Sequence, residues 1–329
     1  MRRLHALAVL AAIATVAALA PSAGRAQPSA PASAAAGEAA RLRDLFAREW
    51  ETRLKEDPTL ATSVGRHEYD ALLPSMSLAD LQRRDAMTRG TLRELKTIDR
   101  VALSPDDAVS YDMFKTQLDD RVAEFELGIY QLPWNADSGF QTEFAQLPDL
   151  MTFKTARDYD NYVARLHAWP RLVAQEIELM RMGIRRGFTL PRAVLDGFEG
   201  TMSSHLVADP EKSVFWKPFT SFPATLSAAE RERLRTVGRD AIGDAVAGYR
   251  TLLSFYPGEY LPHARATLGA ADLPNGAAYY RQQIRHFTSL DLAPEEIHRI
   301  GLAEVDRIDK EMQAVIRQVG YQGTFAQFL

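Results

Sequence analysis

Residues Leu292–Met312, LAPEEIHRIGLAEVDRIDKEM, read as a helix from end to end. Pro294 stands in a first turn that has no backbone donor to lose, and Glu295 and Glu296 meet the positive end of the helix dipole. At about 100° per residue, Ile297, Ile300, Ile308, Met312, Val315 and Val319 fall on one stripe. Glu304 lies inside that stripe and His298 on its edge. A carboxylate turned toward a core is costly unless paired or hydrogen-bonded. Glu304 is therefore expected either to hold an arginine or lysine from a neighbouring helix or to line a wet cleft.

The same period recurs outward from this stretch. ARLRDLFAREWETRLKEDP is expected to stop at Asp57-Pro58, because proline disfavours helix in the residue before it. Ser77 is a candidate N-cap, and Ser104 followed by Pro105, Asp106 and Asp107 is a strong helix start. Helices are expected over ARDYDNYVARLHAW, over PRLVAQEIELMRMGIRRG with Gly183 and Gly187 available to close it, over LPRAVLDGFEGTMSSHL, from about Ser227 to Phe255, and over NGAAYYRQQIRHFTS. Two segments break the pattern, Gln131–Thr155 and Asp209–Pro223. Both are aromatic loops whose Trp134, Phe140, Trp216 and Phe219 either fill a core or wall a substrate cleft. Alternating valine- and isoleucine-rich runs are missing, and no fixed repeat is visible. The fold class is all-α, a multi-helix array with two long aromatic loops.

The chain has 329 residues, 46% of them hydrophobic and 25% charged, with a formal net charge of −4. That balance supports a sizeable core, and without a basic stripe it argues against nucleic-acid binding. Residues 1–26 have the layout of a secretory signal peptide: Arg2 and Arg3, an apolar run from Ala6 to Ala20, then small residues Gly24 and Ala26 before Gln27. A periplasmic or secreted protein is expected, with no membrane span after cleavage. Residues 27–40 are low in complexity and read as a flexible tether, leaving 41–329 as the helical domain. The absence of cysteine excludes disulfides and thiolate metal sites, and suits an oxidising compartment.

Chemistry-bearing motifs are sparse. None of the seven histidines sits four residues from another, so no H-E-x-x-H zinc helix is present. HEYDA at His67 begins like one but carries Ala71 where the second histidine belongs. There is no nucleophile elbow, phosphate loop or dinucleotide fingerprint. No catalytic residue and no metal ligand is assigned, and the candidate cleft residues are Glu304 and, second, His298. A hydrolase built on these two and a serine lacks any recognisable nucleophile setting.

From about Arg41 onward the chain resembles the N-terminal half of the bacterial domain-of-unknown-function family 885, secreted helical proteins grouped with zincin-like metallopeptidases. The resemblance is carried by TSVGRHEYDALLPSMS, LSPDDAVSYDMFKTQLD, RMGIRRGFTLPRAVL, SVFWKPFTSFP and LAPEEIHRIGLAEVDRIDKEM, in that order and spacing. It implies the N-terminal part of a larger helical zincin-like fold, nearly twice this length, with zinc bound by an H-E-x-x-P-G-H-H motif in the half that follows. There, two histidines one turn apart hold the metal and the glutamate between them activates water. It implies that the His298 helix packs near the zinc helices and helps shape the cleft, that the partners are a peptide substrate and the missing C-terminal half, and that this span is inactive by itself. GYQGTFAQFL at the end reads as the beginning of a further helix, so the chain is expected to be truncated. The alternative is a stand-alone periplasmic helical module that holds a peptide against the aromatic loops.

Overall fold

The computed structural model describes residues 30–135 and 138–328; the expected signal peptide lies outside them. The first helix, α1 (Ala30–Glu56), ends where Asp57-Pro58 required. Asp57 then caps α2 (Pro58–Ser63), its carboxylate accepting from the Leu60 backbone N–H at 2.9 Å. The expected tether is helical from Ala30 onward, a correction with two causes. Its alanines are the best helix formers, and Ala39 is buried in a core. Ser77 and Ser104 cap α3 (Leu78–Leu95) and α4 (Pro105–Leu127) as expected, and Gly128 closes α4 at φ 76°.

Helices α1, α3 and α4 form one layer around Leu42, Leu45, Leu92, Leu95, Tyr111, Phe114 and Leu118. Cross-helix ion pairs give their directions. Arg83–Glu56 and Arg48–Glu94 run α1 antiparallel to α3, whereas Arg43–Asp107 and Arg121–Glu49 run α1 in the same direction as α4.

The first aromatic loop is not structureless. It contains two short helices, α5 (Phe140–Ala145) and α6 (Leu147–Leu150). Gly139 starts α5 at φ 154°, and a Cβ there would stand 2.6 Å from the Trp134 Cβ. Only glycine fits that approach.

Helix α7 (Ala156–Arg186) joins two expected helices into one, with Pro170 inside it. A mid-helix proline removes one backbone bond, and here the loss is offset by burial of both flanks, including Trp169, Leu172 and Val173. Gly187 closes α7 at φ 72°, while Gly183 stays within the helix, pressed against the Phe188 carbonyl and Gln131. The helix expected over LPRAVLDGFEGTMSSHL is reduced to α8 (Gly200–Ser203) and 3-10 turns, because Gly197 takes φ 73° in its middle.

Helix α9 (Ala228–Phe255) begins with a reciprocal Ser227–Glu230 capping box. Its pairing with α7 is the largest among the described helices, and the two run in the same direction: Arg233–Asp160, His167–Asp244 and then Arg181–Glu259, just beyond the end of α9, advance together. They approach closely at Gly248, where a Cβ would meet the Trp169 ring at 2.5 Å. Around this pair sits the main core, in which Trp169 stacks on Phe144 with centroids 4.0 Å apart. The second aromatic loop winds through it as 3-10 turns. Phe215, Trp216 and Phe219 are core residues, not cleft walls.

The chain continues through α10 (Gly276–Thr288), packed on α4, then α11 (Pro294–Gln318) and α12 (Phe325–Phe328). The α11 boundaries match the sequence reading, but its surroundings do not. Of its side chains only Ile316 is buried, while Ile300, Ile308, Val315 and the following Val319 are exposed. Among the described residues there is no strand, only two isolated bridges. None of the described helices is long and apolar enough to cross a membrane.

Candidate binding cleft

Between the α1–α3–α4 layer and the main core opens a cleft of about 1140 Å³. Leu45, Leu60, Met87 and Leu118 supply one apolar wall, and Phe140, Phe144, Leu147, Leu150 and Leu172 the other. The α5 end of this wall is fixed from behind, since the Tyr249 hydroxyl of α9 donates to the Gln141 carbonyl at 2.5 Å.

Charged groups are set into this apolar lining. Most are paired: Arg121 reaches Glu49 at 2.5 Å, Arg83 grips Glu56 with two bonds of 2.7 Å, and Arg84 sits 3.7 Å from Glu56. Glu176 of α7 differs. It is 3% exposed, its Oε2 is buried with no hydrogen-bond partner, and it makes no ion pair among the described residues. Burial pushes its carboxyl up to about 8, with Glu143 of α5 adding repulsion and Arg84 opposing both. Asp85 also keeps one oxygen, Oδ1, buried and unpartnered, while its Oδ2 accepts from Arg89 at 2.8 Å. A neutral buried carboxylic acid beside an exposed carboxylate can donate a hydrogen bond, accept a proton, or exchange its proton for a cation.

A second cluster lies at the edge of the cleft. Asp120 and Glu124, one turn apart on α4, meet His286 of α10, and their potential ligand atoms lie within 4.8 Å of one another. The His286 Nδ1 is 2.5 Å from Asp120 Oδ2 and 3.8 Å from Glu124, and the Gln282 amide donates to Asp120 Oδ1 at 2.6 Å. The hydrogen bond to Asp120 raises His286, and burial followed by the Asp120 charge raises Glu124. These residues do not fit the two-histidine zinc site that the family resemblance implies. There is one imidazole, its Nδ1 is engaged by Asp120, and the other Asp120 oxygen is taken by Gln282. The cluster clamps α10 to α4.

The residues singled out from sequence lie elsewhere. Glu304 is exposed and pairs with Arg307 of its own helix at 2.8 Å, not with a neighbouring helix, and Arg307 also holds Glu311 at 2.7 Å. His298 is exposed on the same helix. Neither lines the cleft. Of the two aromatic loops only the first reaches it, through Phe140, Phe144, Leu147 and Leu150. Glu176 was missed, although its signal was legible: an acid inside the apolar stripe of Trp169, Leu172, Val173, Ile177 and Met180. That is the same pattern noted at Glu304.

Residues 58–329 match the family described as "Bacterial protein of unknown function (DUF885)". The chain belongs to this family. The family match thus begins at the proline that opens α2 and takes in every element that walls the cleft except α1. No curated protein matches the chain. Among solved structures it is similar to a crystal structure described as "the putative lipoprotein from Colwellia psychrerythraea", with a TM-score of 0.75 and 19% identity over 87% of this chain and 52% of that one. The fold is shared, and this chain spans about half the length of that neighbour.

Proposed function

We propose that this chain is the N-terminal half of an exported, zinc-dependent peptidase of the family and that its own contribution is the wall of the peptide-binding cleft. The observation that carries the reading is the cleft itself. Its volume of about 1140 Å³ exceeds the ~300–1,000 Å³ usual for small-molecule pockets, and a few polar groups are set into an apolar lining. A short peptide has that size and that mixture of surfaces. The N-terminal layout of Arg2, Arg3 and the apolar run supports export. Zinc and the residues that activate water are assigned to the remainder of a longer protein, because the donor set around His286 does not fit them. In this reading α11 stands by its exposed apolar stripe against that remainder, and Glu304 and His298 contribute to the cleft only there. The alternative is a stand-alone peptide-binding module, resting on the same cleft, whose described lining runs across α1, α2, α3, α4, α5, α6 and α7.

The cleft reading is tested by passing a random hexapeptide library over the immobilised chain and reading retained peptides by mass spectrometry. The comparison is with Thr88→Trp, which places an indole in the cleft from the half-buried α3 position. Affinity for the retained peptides is expected to fall about tenfold, which is about 1.4 kcal/mol. Equal affinity in both proteins overturns the assignment of peptides to this cleft. Elemental analysis then separates peptidase half from module. Zinc and hydrolysis that appear only when the chain is extended by the coding sequence beyond Leu329 support the former. Stoichiometric zinc in this chain alone overturns the placement of the metal outside it.

A further inference from the structure

We propose that Glu176, with Glu143 beside it, forms a subsite in the cleft for a cationic group, the ammonium or guanidinium of a ligand whose apolar part lies against Phe140, Phe144 and Leu172. This deepens the peptide reading, on which it rests, by naming what the peptide must carry: a basic side chain or a free amino terminus.

Three observations converge on it. Glu176 is buried in the cleft wall with Oε2 lacking any partner, and an unpartnered buried carboxylate oxygen is costly unless something outside the free protein satisfies it. Arg84, the positive group that acts on Glu176, makes no ion pair with it and instead lies 3.7 Å from Glu56 and 3.7 Å from the Met76 sulfur. Glu143 lines the same cleft from α5, is exposed, and makes no ion pair among the described residues. One carboxylate thus stands at solvent and one deep, a graded path for an entering cation. The lining as a whole leans the same way, with seven carboxylates against four arginines.

The reverse assignment, an anionic ligand, requires a free cation in the cleft wall near Glu176. Among the described residues, the charges that act on Glu176 are the repulsive Glu143 and the attractive Arg84, which already faces Glu56. A neutral ligand accepting from protonated Glu176 would satisfy Oε2 but would leave the Glu143 charge without a role. Because burial keeps Glu176 protonated near neutral pH, an arriving cation displaces that proton, and binding releases it to solvent.

The test uses 4-phenylbutylamine and its neutral counterpart 4-phenylbutanol, titrated calorimetrically into the chain and into Glu176→Gln. The amine is expected to bind the wild type about tenfold or more tightly than the alcohol, with preference lost in Glu176→Gln. In buffers of different ionisation enthalpy, amine binding to the wild type should release a proton and alcohol binding should not. Glu143→Gln should weaken the amine by only about twofold to threefold, as an exposed charge does. Equal affinity for amine and alcohol, or an amine affinity unchanged by Glu176→Gln, overturns the proposal. Misfolding does not blur the result, because the glutamine variant is expected to be the more stable protein above neutral pH. Peptides then tell the two sources apart: an N-acetylated lysine peptide that keeps affinity assigns the subsite to a side chain, and loss on acetylating an alanine peptide assigns it to the amino terminus. If the amine is discriminated but no peptide binds, the cation subsite stands and the peptide reading falls. If peptides bind regardless of charge, the reverse holds.

Discussion

Glu176→Gln is expected to unfold at a higher temperature than the wild type at pH 8, and at about the same temperature at pH 5. The wild-type carboxyl is raised by burial to about 8 from an ordinary 4.5. Between those values the native state holds a proton that the unfolded chain has released. Stability then falls as pH rises, by about 1.4 kcal/mol per pH unit for one such group. The contribution is fully present below the ordinary value and is lost as pH climbs through the native one. The accumulated difference by pH 8 is on the order of 4 kcal/mol. Glutamine carries no charge at any pH, so the variant lacks this slope. Thermal unfolding of both proteins from pH 5 to 9 checks it, and parallel curves would show that Glu176 is not the titrating group. A carboxylate that costs stability near neutral pH is retained for something other than stability, as expected of a group that meets a ligand.

Arg165→Met is expected to destabilise the fold by about 3–5 kcal/mol, the range for breaking a buried charge system from one side. Arg165 is fully buried. Its Nε donates to the Leu72 carbonyl at 2.8 Å, and Nη2 donates to the Pro58 carbonyl at 2.9 Å and the Thr62 hydroxyl at 2.7 Å. Thr62 in turn donates to Asp70 at 2.6 Å, and His67 meets the other Asp70 oxygen at 2.9 Å. Burial lowers Arg165 to about 10, with Asp70 and Asp57 opposing, so the guanidinium stays charged at neutral pH. Methionine fills most of the volume but leaves Asp70 buried without its nearby cation and removes the guanidinium donors from the Leu72 and Pro58 carbonyls. Hydrogen exchange should then quicken first across residues 58–73, the segment this side chain holds against α7. Exchange that quickens uniformly would instead mean a general loss of packing. Asp70→Asn in the same background should cost less than it does alone, because the two residues share one network.

This network explains why HEYDA resembled a catalytic motif without being one. His67 and Asp70 are spaced to close a 3-10 turn around a buried arginine. Local chemistry was readable where the cause was local: serines at helix starts, Asp57-Pro58, and Gly187 at a helix end. It failed at Pro170, where neighbours distant in sequence carry the helix across a residue that should break it. It failed again at LPRAVLDGFEG, where a single left-handed glycine outweighs a helical period. The candidate site was harder to read for a related reason. Periodicity tells that Glu304 and Glu176 each sit in an apolar stripe, but not what covers the stripe. For α7 the cover is the molecule's core and a cleft, whereas for α11 most of the stripe faces solvent within the described residues. Glu304, free to swing, takes Arg307 of its own helix.

The shared direction of α7 and α9 constrains how the chain assembles. Neighbouring helices joined by a short turn run antiparallel and can meet as soon as both exist, as α3 and α4 do across Lys96–Ser104. Two parallel helices need the whole of residues 187–227 to travel back along the first before the second begins. That return must be ordered before the largest interface rewards it, and the entropy of closing so long a loop is spent early. The α3–α4 hairpin is thus placed to acquire exchange protection first, and the core around Trp169 last. The aromatic turns at Phe215 and Phe219 lie on the return path itself, where they give the crossover an apolar footing on α7 before α9 arrives.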